Sequence, residues 1–223
     1  MQLIDKQKIG DQVLDALRKS IMLGEIPAGS HLKENVLSTE FGVSRGPIRE
    51  AISQLEKEGL VSTPSNGRTI VEGFSITDIK NLYNTRMLLE DYALSQLSFK
   101  AIQEGKEELY QFVSLMEEGH ARGERDIKAD LLFHYTLIKL TNNKSLLQLW
   151  TSLNGVIQTL IQVTTAFTVH QEVVITQHKN IVQFLENNEI EQARATLREH
   201  LLEAREFYKT AAIKLREDDF TNG

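Results

Sequence analysis

The chain has 223 residues, no cysteine and a net charge of −6, and 41% of its residues are hydrophobic. That length suits one large or two modest domains, and that apolar fraction is globular. No apolar run approaches the ~18 residues of a membrane span, the N-terminus lacks an apolar signal core, and disulfides and thiolate metal sites are excluded, so a cytoplasmic protein is expected.

An acidic chain seems a poor partner for nucleic acid, but the charge is unevenly spread. Residues 1–73 carry 9 Lys and Arg against 10 Asp and Glu, so most of the acidic excess lies beyond them. Placement of the basic residues matters more than the total.

In chain order, residues 8–23 carry Val13, Leu14, Leu17 and Ile21 on one face of an amphipathic helix. "GEIPAGSHL" (24–32) reads as a loop or short extended piece. Residues 34–41 suit a short helix, with Gly42 as a left-handed cap after it. Ser44 is a good N-cap for the next helix, Pro47 falls in its first turn, and Gly59 ends it. Two β-rich pieces, LVST and RTIV, then flank Pro-Ser-Asn-Gly (64–67), a strong hairpin turn signal. This order is that of a winged helix-turn-helix occupying residues 1–73.

"EGFS" (72–75) reads as a linker and "SITD" (75–78) as a capping box. From there no strand signal and no proline occurs. Helices are expected at 76–103, 106–121, 126–141, 144–166, 170–187 and 189–215, with breaks at Gly105, Gly123, Asn142-Asn143 and Asn187-Asn188. The fold class is therefore mainly α: a winged helix-turn-helix, then an all-α antiparallel bundle over residues 74–223. "REDDFTNG" at the C-terminus reads as a frayed tail.

The helix of "SRGPIREAISQL" exposes Arg45 and Arg49, four apart, on its leading turns, while Ile48, Ala51, Ile52 and Leu55 face the core. The major groove of B-DNA accepts one helix, and arginine is its commonest base-edge reader. Ser44 and the backbone at the helix start can take phosphates. Gly46 keeps the surface flat, Gly67 lets the wing backbone come near, and Arg68 reaches a phosphate or the minor groove. Lys33 and Lys57 are weaker phosphate candidates.

The second domain carries four polar residues on apolar stripes. Asp130 and His134 lie one turn apart among Ile127, Leu131, Leu137 and Ile138. His178 sits among Val174, Ile181, Val182 and Leu185, and His200 among Leu197, Leu201 and Ala204. Such groups are costly in a core unless paired or ligating. Each of the last two histidines is ~11 residues, or ~16 Å, from the turn at Asn187–Glu189, so an antiparallel hairpin sets both rings at one height. One carboxylate and three imidazoles suit a divalent metal, zinc first, with nickel or manganese as alternatives. The plainer reading is four separately hydrogen-bonded core residues. Asn154, polar within "LWTSLNGVIQTLI", either lines a pocket or makes a helix–helix hydrogen bond. His31, His120 and His170 lie off the stripes and are given no role.

The stretch "LRKSIMLGEIPAGSHLKENVLSTEFGVSRGPIREAISQLEKEGLV" resembles the winged-helix domain of GntR-family bacterial regulators. "DLLFH" (130–134), "HKNIV" (178–182) and "ARATLREHL" (193–201) are similar to the ligand motifs of that family's FadR-like branch, whose second domain is called FCD. The resemblance implies a homodimeric repressor or activator that binds a short inverted repeat in double-stranded DNA through Arg45 and Arg49. It also implies that Asp130, His134, His178 and His200 hold the metal and that a small carboxylate effector completes its coordination. "YNTRMLLEDYA" (83–93) resembles the first helix of that domain, which makes Arg86 the candidate carboxylate clamp; a surface pair with Glu90 is the alternative. Where some relatives carry a further arginine in the second helix, this chain has Asn35. Two other classes stand beside this reading: a DNA-binding protein whose metal is purely structural, and a metalloenzyme with a DNA-binding head. The latter lacks a second carboxylate to act as base beside a metal-bound water, so no enzyme is expected.

Overall fold

The computed structural model describes residues 9–65, 67–164 and 170–221, with 216–221 as backbone only. It divides into two compact units, Met1–Ser75 and Ile76–Gly223.

The first unit is built from α1 (Ile9–Leu23), β1 (His31–Leu32), α2 (Glu34–Glu40), α3 (Arg45–Lys57), β2 (Val61–Ser62) and β3 (Thr69–Val71). Val13, Leu17 and Ile21 of α1 and Ile48, Ala51 and Leu55 of α3 recur at helical spacing and share one core. The glycines that follow α2 and α3 take the left-handed conformation that ends a helix cleanly, with φ of 63° at Gly42 and 75° at Gly59. The strands form a three-stranded antiparallel sheet in the order β1-β3-β2, with His31 opposite Ile70 and Ser62 also opposite Ile70. Thus the extended piece before α2 is a strand, closing the wing hairpin against the helices. The hairpin turns through a 2.8 Å bond from the Gly67 amide to the Pro64 carbonyl; Asn66, half of the expected turn signal, lies outside the described residues. Arg18, on the buried face of α1, is held by Glu58 at 2.8 and 2.9 Å and by Asp15 at 2.8 Å, tying α1 to the end of α3.

The second unit contains α4 (Ile76–Gln96), α5 (Phe99–Ala121), α6 (Ile127–Lys139), α7 (Lys144–Val163), α8 (Gln171–Glu186) and α9 (Ile190–Thr221). Among the described residues no helix is long and apolar enough to cross a membrane. Helix α9 packs on α4 and α8, α5 on α6 and α8, and α6 on α4 and α7. Two breaks sit at asparagines in left-handed conformation, Asn142 (φ 53°) and Asn188 (φ 63°). Asn143 then caps α7 by accepting from the Leu146 amide at 3.1 Å. The helical backbone continues to Thr221, beyond residue 215, where a frayed tail was expected. The expected end of α7 at 166 falls in residues 165–169, outside the described ones.

One expected boundary is corrected. The chain breaks at Leu97–Ser98, where Ser98 caps α5 by accepting from the Ala101 amide at 3.2 Å, and α5 runs straight through Gly105. Gly105 is a packing residue: a Cβ there would stand 2.7 Å from Cδ1 of Leu140, so its bare face lets α6 approach. Gly105→Val is expected to lower stability by about 1–3 kcal/mol through overpacking. Gly105→Ala should come close to neutral, because the Leu140 side chain can swing and alanine adds ~1 kcal/mol of helix propensity. Urea unfolding of the two variants checks this; equal losses would mean that Leu140 cannot yield.

Candidate functional site

Asp130 and His134 lie one turn apart on the buried face of α6, His178 on α8 and His200 on α9. Helices α8 and α9 pair about the turn at Asn187–Glu189, and the His178 and His200 ring centroids are 4.6 Å apart, at one height as the spacing predicts. All four residues are buried, and each offers a ligand atom within 4.8 Å of the others. The structure thus brings together all four candidate ligands.

The orientation of the rings is informative. Nδ1 of His134 lies 2.6 Å from Oε2 of Glu90, Nδ1 of His178 lies 2.7 Å from the Val174 carbonyl, and Nδ1 of His200 lies 2.9 Å from Oε1 of Gln177. Each partner is an acceptor, so each Nδ1 carries the hydrogen. Nε2 is left with its lone pair, and Nε2 of His134 and His178 stand 3.4 and 3.7 Å from Oδ1 of Asp130. Both are buried and without a hydrogen-bond partner. Buried imidazoles anchored at one nitrogen and orphaned at the other have the arrangement that metal-ligating histidines adopt.

Burial works to raise the Asp130 pKa, but the adjacent imidazoles of His134 and His178 and the charge of Arg125 outweigh it and hold the carboxyl well below its usual range. Arg125 reaches Oδ2 at 2.9 Å, which leaves Oδ1 facing the rings. Burial above all, together with the two imidazoles packed beside it, pushes His200 well below its ordinary value, which favours the neutral form that ligates. At His134 burial is opposed by the Glu90 carboxylate, and the net shift is upward.

Glu90, fully buried, is the hub behind the site. It accepts from His134, from Nε of Arg86 at 2.9 Å and from Nε1 of Trp150 at 3.0 Å. Burial alone would raise its pKa; His134 and Arg86 reverse this and hold it far below the normal carboxylate value. The Arg86–Glu90 pair foreseen on the surface therefore forms, but in the interior, with relative exposures of 3% and 0%. A signal for Glu90 exists in the sequence, because Ile79, Tyr83, Arg86, Glu90 and Ala93 follow one helical stripe.

A cavity of about 370 Å³ opens beside the cluster. Asp130 and His200 line it, together with Arg86, whose Nη2 is buried without a partner. His134 and His178 are not among its lining residues, so the cluster is closed on their side and reachable from the other. Sequence reasoning missed Arg125, Gln177 and Glu203, which also line it. Asn154 is not among the described residues that line the cavity. It lies two turns before the lining residue Ile161 on α7, or ~10 Å along the axis, and its Oδ1 is buried without a partner.

In the first unit, Ser44, Arg45, Gly46 and Arg49 are exposed at the start of α3, and Lys33, Gly67 and Arg68 are exposed beside the wing. Lys57 is exposed at the far end of α3. Ser44 makes no capping bond. Glu34, not singled out in the sequence, accepts from Nε of Arg49 at 3.0 and 3.1 Å. Such an exposed pair is weak, so it orients Arg49 without withholding it.

A winged helix-turn-helix with exposed arginines at the start of α3, followed by a helical bundle that encloses one carboxylate and three imidazoles beside a cavity, has the architecture of DNA-binding regulators. The comparisons agree. The FCD domain family matches residues 81–203, and the family described as bacterial regulatory proteins, gntR family, matches residues 9–71. The chain therefore belongs to the GntR family of bacterial regulatory proteins, in the branch that carries an FCD domain. It is 29% identical to the gluconate operon transcriptional repressor of Bacillus licheniformis, over 71% of this chain and just under two thirds (65%) of that protein. It is 26% identical to the repressor of the same name from Bacillus subtilis, over 84% of this chain and 75% of that one. Among solved structures, a chain reported under the statement that Lar controls the expression of the Listeria monocytogenes agr system gives a TM-score of 0.66 at 24% identity. It covers 94% of this chain and 98% of that one. E. coli McbR/YncC gives 0.61 at 19% identity, covering 91% and 97%. These likenesses speak for the fold. The families and the curated relatives are transcriptional regulators, not enzymes.

Proposed function

We propose that this regulator senses a small carboxylate through a divalent metal held by Asp130, His134, His178 and His200. The observation that carries the reading is the pair of buried, partnerless Nε2 atoms aimed at one carboxylate oxygen, each ring fixed through Nδ1. Zinc is the first expectation, with nickel or manganese as alternatives. A structural zinc site is closed, whereas here Asp130 and His200 border a cavity that leaves room for a further ligand. Arg86 lines that cavity and its Nη2 is buried without a partner, which suits a carboxylate, the group guanidinium binds as a fork. Gluconate, the compound in the names of the two Bacillus relatives, is a carboxylate and the first compound to test.

The reading head binds duplex DNA as half of a homodimer on a short inverted repeat. Arg45 and Arg49 read bases, and Lys33, Ser44, Gly46, Gly67 and Arg68 lie at the backbone or minor groove. Arg49→Ala is expected to cost ~1–3 kcal/mol at its own base pair and to relax specificity there. A binding selection on randomised duplexes measures it, and a loss uniform across sequences would make Arg49 a phosphate contact instead. The sensing reading is tested by metal analysis of the purified protein, then by DNA affinity of the metal-loaded dimer with and without gluconate. A switch requires unequal affinities; identical affinities across a panel of small acids would remove it.

A further inference from the structure

The far side of the cavity carries a group that the metal and Arg86 do not explain. Gln177, 9% exposed, bridges His200 and Glu203: its Oε1 receives Nδ1–H of His200 at 2.9 Å, and its Nε2 donates to Oε2 of Glu203 at 2.8 Å. The direction of this chain of bonds is set by the cluster. With Nε2 of His200 facing the ligand set, Nδ1 holds the hydrogen, so the amide must turn its oxygen to His200 and its NH2 to Glu203. Glu203 is therefore held in place by a neutral donor. Among the described residues it has no ion pair, whereas the cationic groups of the lining are committed, Arg86 to Glu90 and Arg125 to Asp130.

Position says what Glu203 meets. It stands three residues after His200 on α9, nearly one turn, or ~4.5 Å along the axis. His170, the other titratable group of the lining on the α8 side, lies eight residues before His178, or ~12 Å along that axis. A short ligand anchored at the cluster reaches Glu203 and stops before His170. Resting on the effector reading above, we propose that Glu203 is a specificity filter: it admits monocarboxylates that carry a hydroxyl or ammonium group a few atoms from the carboxylate, and it rejects a second carboxylate. A donor on the ligand pairs with the carboxylate of Glu203 at the mouth of the cavity, while a second anion is set against that carboxylate and repelled by it.

The test uses four probes on one four-carbon skeleton: butyrate, 4-hydroxybutyrate, 4-aminobutyrate and succinate. Each is titrated calorimetrically into the zinc-loaded protein and its Glu203→Gln variant. Glu203 is surface-exposed, and equal melting temperatures verify that the variant folds. In the unaltered protein, succinate should bind about tenfold more weakly than butyrate, and the hydroxy and amino acids about tenfold more tightly. In E203Q the four affinities should collapse to within about threefold of one another. Succinate binding as well as butyrate, or a spread that E203Q leaves intact, overturns the filter and leaves the metal reading standing. Failure of zinc to load, or of all four acids to bind, removes the effector reading and the filter with it.

Discussion

Glu90→Leu is expected to destabilise the bundle by about 3–5 kcal/mol, because it strands the Arg86 guanidinium, 2% exposed, without its counter-charge. The same change leaves Nδ1 of His134 and Nε1 of Trp150 without their acceptor, and each unsatisfied buried donor costs a further ~1–3 kcal/mol where no water reaches it. Trp150 is the only tryptophan in the chain and touches the hub directly, so its fluorescence followed through urea unfolding reports both the loss and its location. The double variant Arg86→Met with Glu90→Leu should recover the part lost to the unpaired Arg86 charge, since replacing a whole buried pair by apolar groups is often neutral, and should keep the part lost at His134 and Trp150. It should not recover carboxylate binding. A single variant that loses less than ~1 kcal/mol would mean that Arg86 can swing to solvent.

The second large effect is on metal. His178→Ala removes a proposed ligand from a closed wall of the cluster, and the loss of affinity should exceed the ~10–100-fold typical of losing a supporting residue behind a ligand. Metal content after dialysis against a weak chelator measures this. Added zinc should raise the melting temperature of the unaltered protein, by the linkage that stabilises any state a ligand prefers, and should leave His178→Ala unmoved. The behaviour of the variant distinguishes two roles for the metal. If the metal serves sensing, the variant stays folded and binds DNA without responding to acids. If the metal is only structural, the variant melts near the temperature of the chelated protein. Full zinc content in His178→Ala would remove the histidine from the ligand set.

How much of the fold and site was legible in the residues depended on range. The helices announced themselves through local periodicity and caps, and the α8–α9 hairpin could be measured along the chain, so the shared height of His178 and His200 came from counting. Asp130 and His134 were legible because a charge and an imidazole on an apolar stripe break a rule that cores obey. Gly105 misled because an internal glycine has two meanings, an end of helix or a place where another helix comes close, and Leu140, just beyond α6, decides between them. Arg125, Gln177 and Glu203 left no mark, because a partner contributed by another segment has no spacing in the sequence. Glu90 is the intermediate case: its stripe was visible, but a Glu four residues after an Arg reads equally well as a solvated pair.

Arg86 and Glu90 stand on a helix that begins at Ile76, the first residue after the reading unit ends. Ten residues of unbroken helix, ~15 Å of stiff rod, join the tether to the guanidinium, with no loop between them to absorb strain. If an acid binds Arg86 as proposed, the pull on that guanidinium acts on a helix whose first residue, Ile76, directly follows the reading unit in the chain.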